Sequence, residues 1–476
     1  MIVASFSAFI LLFVAVGVLS TLKNRHTSAD YLLAGHSVKP WLAALSAVAT
    51  NNSGYMFVGM IGYTYSVGLA SIWLMIGMIS GDFLASTFIH KRLRVATEKE
   101  KVLSFAGVLS RWHGTNYRIL RIVGGVITVA FLGTYAAAQL NAGSKALHVL
   151  FDWDYSVGAI IGAVMVLLYC FAGGIRASIW TDAAQSFVMI VAMGLLFFFA
   201  VSEIGGMYAF STALDNVSPT YTKLFPSNLP LGGVTGPLLF LLGWVFAGFA
   251  VVGQPHIMVR FMAMDTPKNL NRVRLYYYSW FTAFYTLTIC AGLAARLLLP
   301  EADNFDAELA LPALAQQLLP EILVGLILAG LFAATMSTAD SQILSCSAAI
   351  TRDFTRAKKV SYVMTKLATV FVVIVALSIA LSGSKSVFSL VLIAWAALAS
   401  AFAPLLTIYA LGGKPSEKLA LTMMFSGLVT MLIWRYVGLG DIIYEVAPGI
   451  LAGLLPYVVV RLIHNRGFLM GIFKKF

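Results

Sequence analysis

Long apolar blocks separated by short polar segments run along the whole chain. A bilayer core of about 30 Å needs about 20 apolar residues per helical crossing, and about thirteen blocks of that kind are present. They cover residues 1–20, 40–62, 66–90, 119–147, 156–174, 182–203, 233–256, 276–299, 321–350, 362–382, 386–411, 417–437 and 442–463. The pattern predicts an all-α polytopic membrane protein with about thirteen transmembrane helices.

Composition excludes a water-soluble fold. Apolar residues make up 60% of the 476 residues and charged residues only 11%, where soluble domains have about 25% charged. The net charge of +12 could indicate nucleic-acid binding, but Lys and Arg lie between the apolar blocks rather than on one arm. We therefore expect no nucleic-acid partner and a multi-pass location in a bacterial-type plasma or inner membrane.

Charge alternates between successive loops. Residues 91–101, 272–274 and 352–359 are rich in Lys and Arg, whereas residues 152–154 and 301–306 are acidic. Because cytoplasmic loops hold the excess of basic residues, this alternation predicts an outside N-terminus and a cytoplasmic C-terminus. No soluble segment interrupts the order, so residues 1–476 are predicted to form a single membrane domain.

The second block is interrupted at its middle by residues of poor helix propensity, Ala49-Thr50-Asn51-Asn52-Ser53-Gly54. Irregular backbone is tolerated at membrane depth only where it lines a protein or water cavity. The run could instead serve close helix packing, but its length favours a binding site.

The seventh block has a matching interruption at Gly253-Gln254-Pro255, which alone would indicate an ordinary proline kink. Blocks two to six and seven to eleven each begin with an interrupted helix, and the two runs enter the membrane from opposite sides. This layout predicts inverted five-helix repeats with a site between them. The expected boundaries are 1–39 for an additional helix and loop, 40–203 and 233–411 for the repeats, and 412–476 for two further helices and the tail.

Hydroxyl side chains cluster at the end of the ninth block, within Ala333-Ala334-Thr335-Met336-Ser337-Thr338-Ala339-Asp340-Ser341. Ser337, Thr338 and Ser341 share one side of a helix. Hydroxyls and freed carbonyls supply the several oxygen ligands that a hard cation needs. The alternative is that these hydroxyls only bond to carbonyls of their own helix.

Two carboxylates, Asp82 and Asp182, lie within apolar blocks. Buried intramembrane carboxylates are functional candidates. Asp182 could also cap a helix N-terminus, and Asp82 could lie at the cytoplasmic interface. Of the two, we expect Asp182 rather than Asp82 to have a cation-linked role.

Three motifs resemble the sodium:solute symporter family, most closely its sodium/proline symporters. They are Gly173-Gly174-Ile175-Arg176-Ala177 with Trp180-Thr181-Asp182, Gly253-Gln254-Pro255-His256-Ile257 with Arg260-Phe261-Met262, and the run from Ala333 to Ser341. The resemblance covers nearly the whole chain. It implies a LeuT-like core of two inverted five-helix repeats.

The resemblance also implies positions for Na⁺ and for the solute. The principal sodium site would consist of Ala49, Asn52, Ala334, Ser337 and Thr338. A second, family-variable sodium position would involve Asp182, Ser337, Asp340 and Ser341. The solute would contact Asn51, Ser53, Gly54, Tyr55, Tyr135, Gln139, Val251 and Gln254.

The chain departs from the proline carriers at three of these places. They have an aspartate where this chain has Asn51, and aromatic residues where it has Ala247 and Val251. Smaller side chains should enlarge or reshape the pocket, and loss of the carboxylate should weaken or retune the coupling. Tyr135 matches an aromatic residue of the proline carriers, which keeps an amino acid or similar zwitterion as the expected solute.

The sequence therefore predicts sodium-coupled symport of a small organic solute by alternating access. The expected partners are Na⁺, the solute and the lipid bilayer, with no obligatory protein partner evident. Two alternatives stay open: a transporter-like sensor that binds the solute, and symport of another solute such as a sugar or carboxylate. An intramembrane enzyme is disfavoured because His256, in or beside a spanning motif, has no nearby Cys or Glu.

Overall fold

The computed structural model describes residues 1–23, 25–299, 305–355, 360–382 and 387–473. Parts of the predicted external loop (301–304), of the predicted cytoplasmic loop (356–359) and of the tail (474–476) lie outside these residues. The described part contains nineteen α-helices and no β-strand. The helices are α1 Ile2–Ser20, α2 Ser28–Leu33, α3 Pro40–Gly54, α4 Ile61–Val67, α5 Ile72–Phe88, α6 His90–Glu100, α7 Phe105–Arg111, α8 Arg118–Phe151, α9 Tyr155–Ile204, α10 Met207–Asp215, α11 Thr235–Phe249, α12 Pro255–Met262, α13 Leu270–Leu298, α14 Ala310–Leu318, α15 Glu321–Ala348, α16 Tyr362–Ser382, α17 Val387–Ala410, α18 Glu417–Tyr436 and α19 Val446–Phe473.

Eleven helical stretches of the described residues are long and apolar enough to cross a membrane. Two of them exceed a single crossing, since Pro40–Phe88 has 49 residues and Tyr155–Ile204 has 50. At 1.5 Å per residue each would be roughly 70 Å long if straight, about twice the bilayer core. Each contains a glycine with positive φ, Gly68 at 72° and Gly174 at 57°. Where the sequence predicts four separate blocks (40–62, 66–90, 156–174 and 182–203), the structure therefore has two continuous stretches with internal breaks.

Helix α15 is the centre of the fold. In its most apolar stretch 89% of the residues are buried, whereas the corresponding value for α1 is 17%. Polar residues are rarely tolerated facing lipid, and the hydroxyl run of α15 is instead fully enclosed by protein. The burial of α15 is what places its Ser and Thr side chains against other helices rather than against the bilayer.

Helices α5 and α11 pack closely through glycines. A Cβ added to Gly81 would lie 1.9 Å from the carbonyl oxygen of Val245, and one added to Gly248 would lie 2.1 Å from that of Met78. Small residues allow this kind of backbone approach between membrane helices. The contact joins the second half of the Pro40–Phe88 stretch to the helix that precedes the second interruption.

We expect Gly81→Ala to destabilise the protein by about 1–3 kcal/mol, because the added methyl group forces the α5 and α11 backbones apart. Gly133→Ala is the matched control, since a Cβ there meets nothing within 4 Å. Thermal unfolding of the purified variants in detergent, followed by tryptophan fluorescence, measures both effects. Equal melting temperatures for Gly81→Ala and Gly133→Ala would contradict the packing argument.

Candidate functional site

The interruption of the second block lies at Ser53. Its backbone has φ 48° and ψ −180°, a conformation that residues other than glycine rarely adopt. The backbone amide of Tyr55 donates to Ser53 Oγ at 3.1 Å, and that of Gly54 donates to Gln139 Oε1 at 2.8 Å. Side chains therefore satisfy amides that leave the regular helical pattern, and a π-helical turn at Tyr55–Met60 follows.

The second interruption lies at Gln254, between α11 and α12. A 3₁₀ turn covers Ala250–Gly253, Gln254 is extended with φ −98° and ψ 99°, and Pro255 starts α12. Proline suits that first helical position because its missing N–H has no intrahelical acceptor there. The side-chain amide of Gln254 donates to the carbonyl of Trp395 at 3.0 Å, so it connects the break to α17.

Hydroxyls of α15 and carbonyls of α3 meet beside the first break. Ser337 Oγ lies 3.4 Å from the Ala49 carbonyl and 3.1 Å from the Ala334 carbonyl. Thr338 Oγ1 lies 3.0 Å from the Thr50 carbonyl and 3.1 Å from that of Ala334. Four of the five residues predicted for the principal sodium site thus converge, and Thr50 joins them.

The spacing of these oxygens fits a cation of Na⁺ size. Ions of that size take oxygen ligands at about 2.3–2.6 Å, so adjacent ligands at right angles stand about 3.3–3.7 Å apart. The hydroxyl and carbonyl oxygens are 3.0–3.4 Å apart. They would have to move apart only slightly to surround such an ion. Asn52, the remaining predicted ligand, lies beside the group, where its carbonyl accepts from the Tyr55 amide.

A buried guanidinium occupies the centre of the residues predicted for a second sodium position. Arg260 on α12 has no exposed surface, and Asp340 Oδ1 is 3.6 Å from its Nη2. The motif containing Arg260 was recognised in the sequence, but its central place in this network was not predicted. Its hydrogen-bond acceptors are Ser46 Oγ at 3.1 Å, the His256 carbonyl at 3.1 Å, Ser178 Oγ at 2.6 Å, Asp182 Oδ2 at 3.1 Å and Ser341 Oγ.

A small cavity of about 30 Å³ adjoins the first break. Four of the residues predicted to contact the solute line this cavity: Asn51, Ser53, Tyr55 and Tyr135. Two others, Gly54 and Gln139, are joined nearby by a hydrogen bond from the Gly54 amide to the Gln139 side chain. Val251 and Gln254 are buried outside this lining. The remaining lining residues are Met78, Trp244, Ala247, Val391, Leu392, Trp395 and Tyr444.

The cavity adjoins a larger open space of about 530 Å³. Trp244, Leu392 and Tyr444 line both. The larger space is also bordered by Pro226 and Pro230 of the segment predicted to be an external loop. Trp244, Leu392 and Tyr444 therefore stand between the larger space and the cavity at the first break.

Asp82 lies inside the protein at 1% exposure. Its carboxylate accepts from the hydroxyls of Tyr277 at 2.7 Å and Tyr278 at 3.0 Å. Asn51 Nδ2 lies 3.4 Å from Asp82 Oδ2. Asp82, which the sequence makes the weaker candidate for a functional role, thus contacts Asn51, a residue that lines the cavity.

Comparison with known proteins identifies the family to which the chain belongs. The model of the sodium:solute symporter family matches residues 31–427. The sodium/proline symporter of Haemophilus influenzae is 30% identical over 97% of this chain and 94% of its own length. That of Escherichia coli is 30% identical over 91% of this chain and 88% of its own length.

Solved structures share the fold. A Na⁺-coupled sialic acid symporter in a substrate-bound outward-open state has a TM-score of 0.80 at 20% identity, covering 96% of each chain. The structure of MhsT in complex with L-phenylalanine has a TM-score of 0.60 at 14% identity, covering 88% of this chain and 99% of its own. With the family model matching most of its length, the chain belongs to the sodium:solute symporter family.

Proposed function

We propose that this protein uses the sodium gradient to import a small organic solute, with proline or another small zwitterion as the first candidate. The observation that carries the proposal is the convergence of Ser337 and Thr338 hydroxyls with α3 carbonyls beside a broken helix. That arrangement joins a site for a hard cation to a solute cavity. Occupation of one therefore affects the geometry of the other.

The proposed mechanism is alternating access. Na⁺ held between α3 and α15 stabilises one conformation, and the solute completes the adjoining cavity. Coupling requires that both ligands favour the same state. The membrane potential contributes about 2.3 kcal/mol per charge per 100 mV to inward movement of Na⁺.

The proposed topology has thirteen spans with the N-terminus outside and the C-terminus in the cytoplasm. The breaks at Gly68 and Gly174 support it, because each divides a stretch of about twice the bilayer thickness. Residues 40–203 and 233–411 are the proposed inverted repeats. Each begins with a helix that is interrupted, at Ser53 and at Gln254.

The proposed solute class rests on the relatives and on the lining of the cavity. Sodium/proline symporters match nearly the whole chain, and Tyr135, which the resemblance assigns to the solute, borders the cavity. Ala247 also lines it, at a place where proline carriers have an aromatic residue. The small Ala247 side chain leaves more room beside the first break than an aromatic residue would, but the cavity of about 30 Å³ must widen before a solute of proline size can enter.

Uptake into proteoliposomes tests the function. We expect radiolabelled L-proline, or the zwitterion selected by a sodium-dependent thermal-shift screen, to accumulate with an inward Na⁺ gradient. Replacing sodium by choline should abolish accumulation. Equal accumulation in choline would contradict sodium coupling, and sodium-dependent binding without any uptake would favour a sensor.

A further inference from the structure

The carboxylate of Asp82 restricts the orientation of the Asn51 side chain. Asn51 Nδ2 is 2.6 Å from Tyr277 Oη and 3.4 Å from Asp82 Oδ2. Tyr277 uses its one hydroxyl proton to donate to Asp82 Oδ2 at 2.7 Å. Toward Asn51, both the phenol and the carboxylate are therefore acceptors. An amide placed against two acceptors must turn its NH₂ group toward them.

The orientation of the Asn51 carbonyl oxygen, Oδ1, follows from that of its NH₂ group. Asn51 Oδ1 diverges from Nδ2 and has no hydrogen-bond partner among the described residues. Only 8% of the surface of Asn51 is exposed, and the residue lines the cavity beside Ser53. A buried unpaired carbonyl oxygen is costly. A solute that donates a hydrogen bond there would remove this cost.

Asn51 offers an unpaired amide oxygen in a cavity lining that has no charged side chain among the described residues. The residues that border the cavity in the described part of the chain include no Asp, Glu, Lys or Arg. Asp82 and Tyr277 are themselves outside the lining. Asp82 therefore acts through Asn51 rather than by touching the solute.

We propose that Asp82 and Tyr277 are positioning residues that present Asn51 Oδ1 as an acceptor, so that the site selects solutes carrying an N–H donor. This inference rests on the proposed function and narrows its solute class to small acids that carry a primary or secondary amine. An ether or unsubstituted acid of the same shape lacks the donor and leaves Oδ1 unpaired. Sites built around a hydrogen bond reject analogues that lack it far more strongly than apolar pockets reject a missing methylene.

The test compares matched ligands on the purified protein in saturating NaCl. L-Proline is paired with (S)-tetrahydrofuran-2-carboxylate, in which oxygen replaces the ring N–H, and L-alanine is paired with propionate. Binding is followed by the fluorescence of the tryptophans, two of which, Trp244 and Trp395, line the cavity. We expect at least a tenfold preference for the N–H member of a pair.

Variants separate positioning from general structure. In Asp82→Asn and in Tyr277→Phe the preference should fall several-fold, because Nδ2 loses an obligatory acceptor and the amide can rotate. Tyr278→Phe is the matched control, since Tyr278 donates to the other carboxylate oxygen of Asp82, and it should keep the wild-type preference. A sodium-induced thermal shift in each variant shows that it is folded.

Two results would overturn the inference while leaving the proposed function intact. One is equal affinity of the wild-type protein for L-proline and its ether analogue. The other is an unchanged preference in both Asp82→Asn and Tyr277→Phe. Absence of sodium-dependent binding for all four compounds would instead contradict the proposed function itself.

Discussion

The double variant Ser337→Ala/Thr338→Ala is expected to lose sodium-dependent uptake while remaining folded. Both hydroxyls are fully buried and lie within 3.0–3.4 Å of carbonyls on α3 and α15. Removing two ligands of about five should weaken Na⁺ binding by on the order of 100-fold or more. The small loss of side-chain volume leaves the packing of α15 nearly intact.

The measurement is the NaCl concentration dependence of solute uptake and of the thermal shift. The control is Ser347→Ala/Thr351→Ala, about three to four turns further along the same helical stretch. There the hydroxyls donate to their own helix, Ser347 to the Ile343 carbonyl and Thr351 to the Ser347 carbonyl, each at 2.7 Å. The control should keep the wild-type sodium dependence. An unchanged sodium dependence in Ser337→Ala/Thr338→Ala would show that these hydroxyls of α15 do not bind Na⁺.

Replacement of Arg260 by Met is expected to cause the largest loss of stability. Arg260, Asp182 and Asp340 are all completely buried, with the guanidinium 3.1 Å and 3.6 Å from the two carboxylates. Without the guanidinium, two carboxylates remain in an apolar interior with no neutralising group in contact. Breaking a buried ion pair in this way costs about 3–5 kcal/mol.

Melting temperature and detergent-soluble yield measure the effect. Arg461→Met serves as the control because Arg461 is exposed on α19, and it should be neutral. If Arg260→Met does not fold, the triple variant with Asp182→Asn and Asp340→Asn provides the decisive comparison. We expect it to recover much of the yield, since no uncompensated buried charge remains. Wild-type stability of Arg260→Met, or no recovery in the triple variant, would exclude the charge explanation.

Only some of the residues predicted to contact the solute line the cavity beside the first break. Asn51 and Ser53 belong to the polar run and do line the cavity, whereas Val251 and Gln254 do not. The predicted break near Pro255 was correct, but which neighbours line a cavity depends on how each helix is rotated. Trp395 and Tyr444 lie far along the chain in ordinary apolar helices, so nothing in their local sequence distinguishes them.

The membrane location, the all-helical fold and the two interrupted helices could be predicted from the sequence alone. These properties follow from local physics, because lipid requires long apolar helices and tolerates irregular backbone only around a site. The position of Arg260 between Asp182 and Asp340, and that of Asp82 beside the Asn51 amide, became visible only in the folded chain. Such pairings join residues on separate helices, and their contacts depend on helix packing and rotation rather than on sequence spacing.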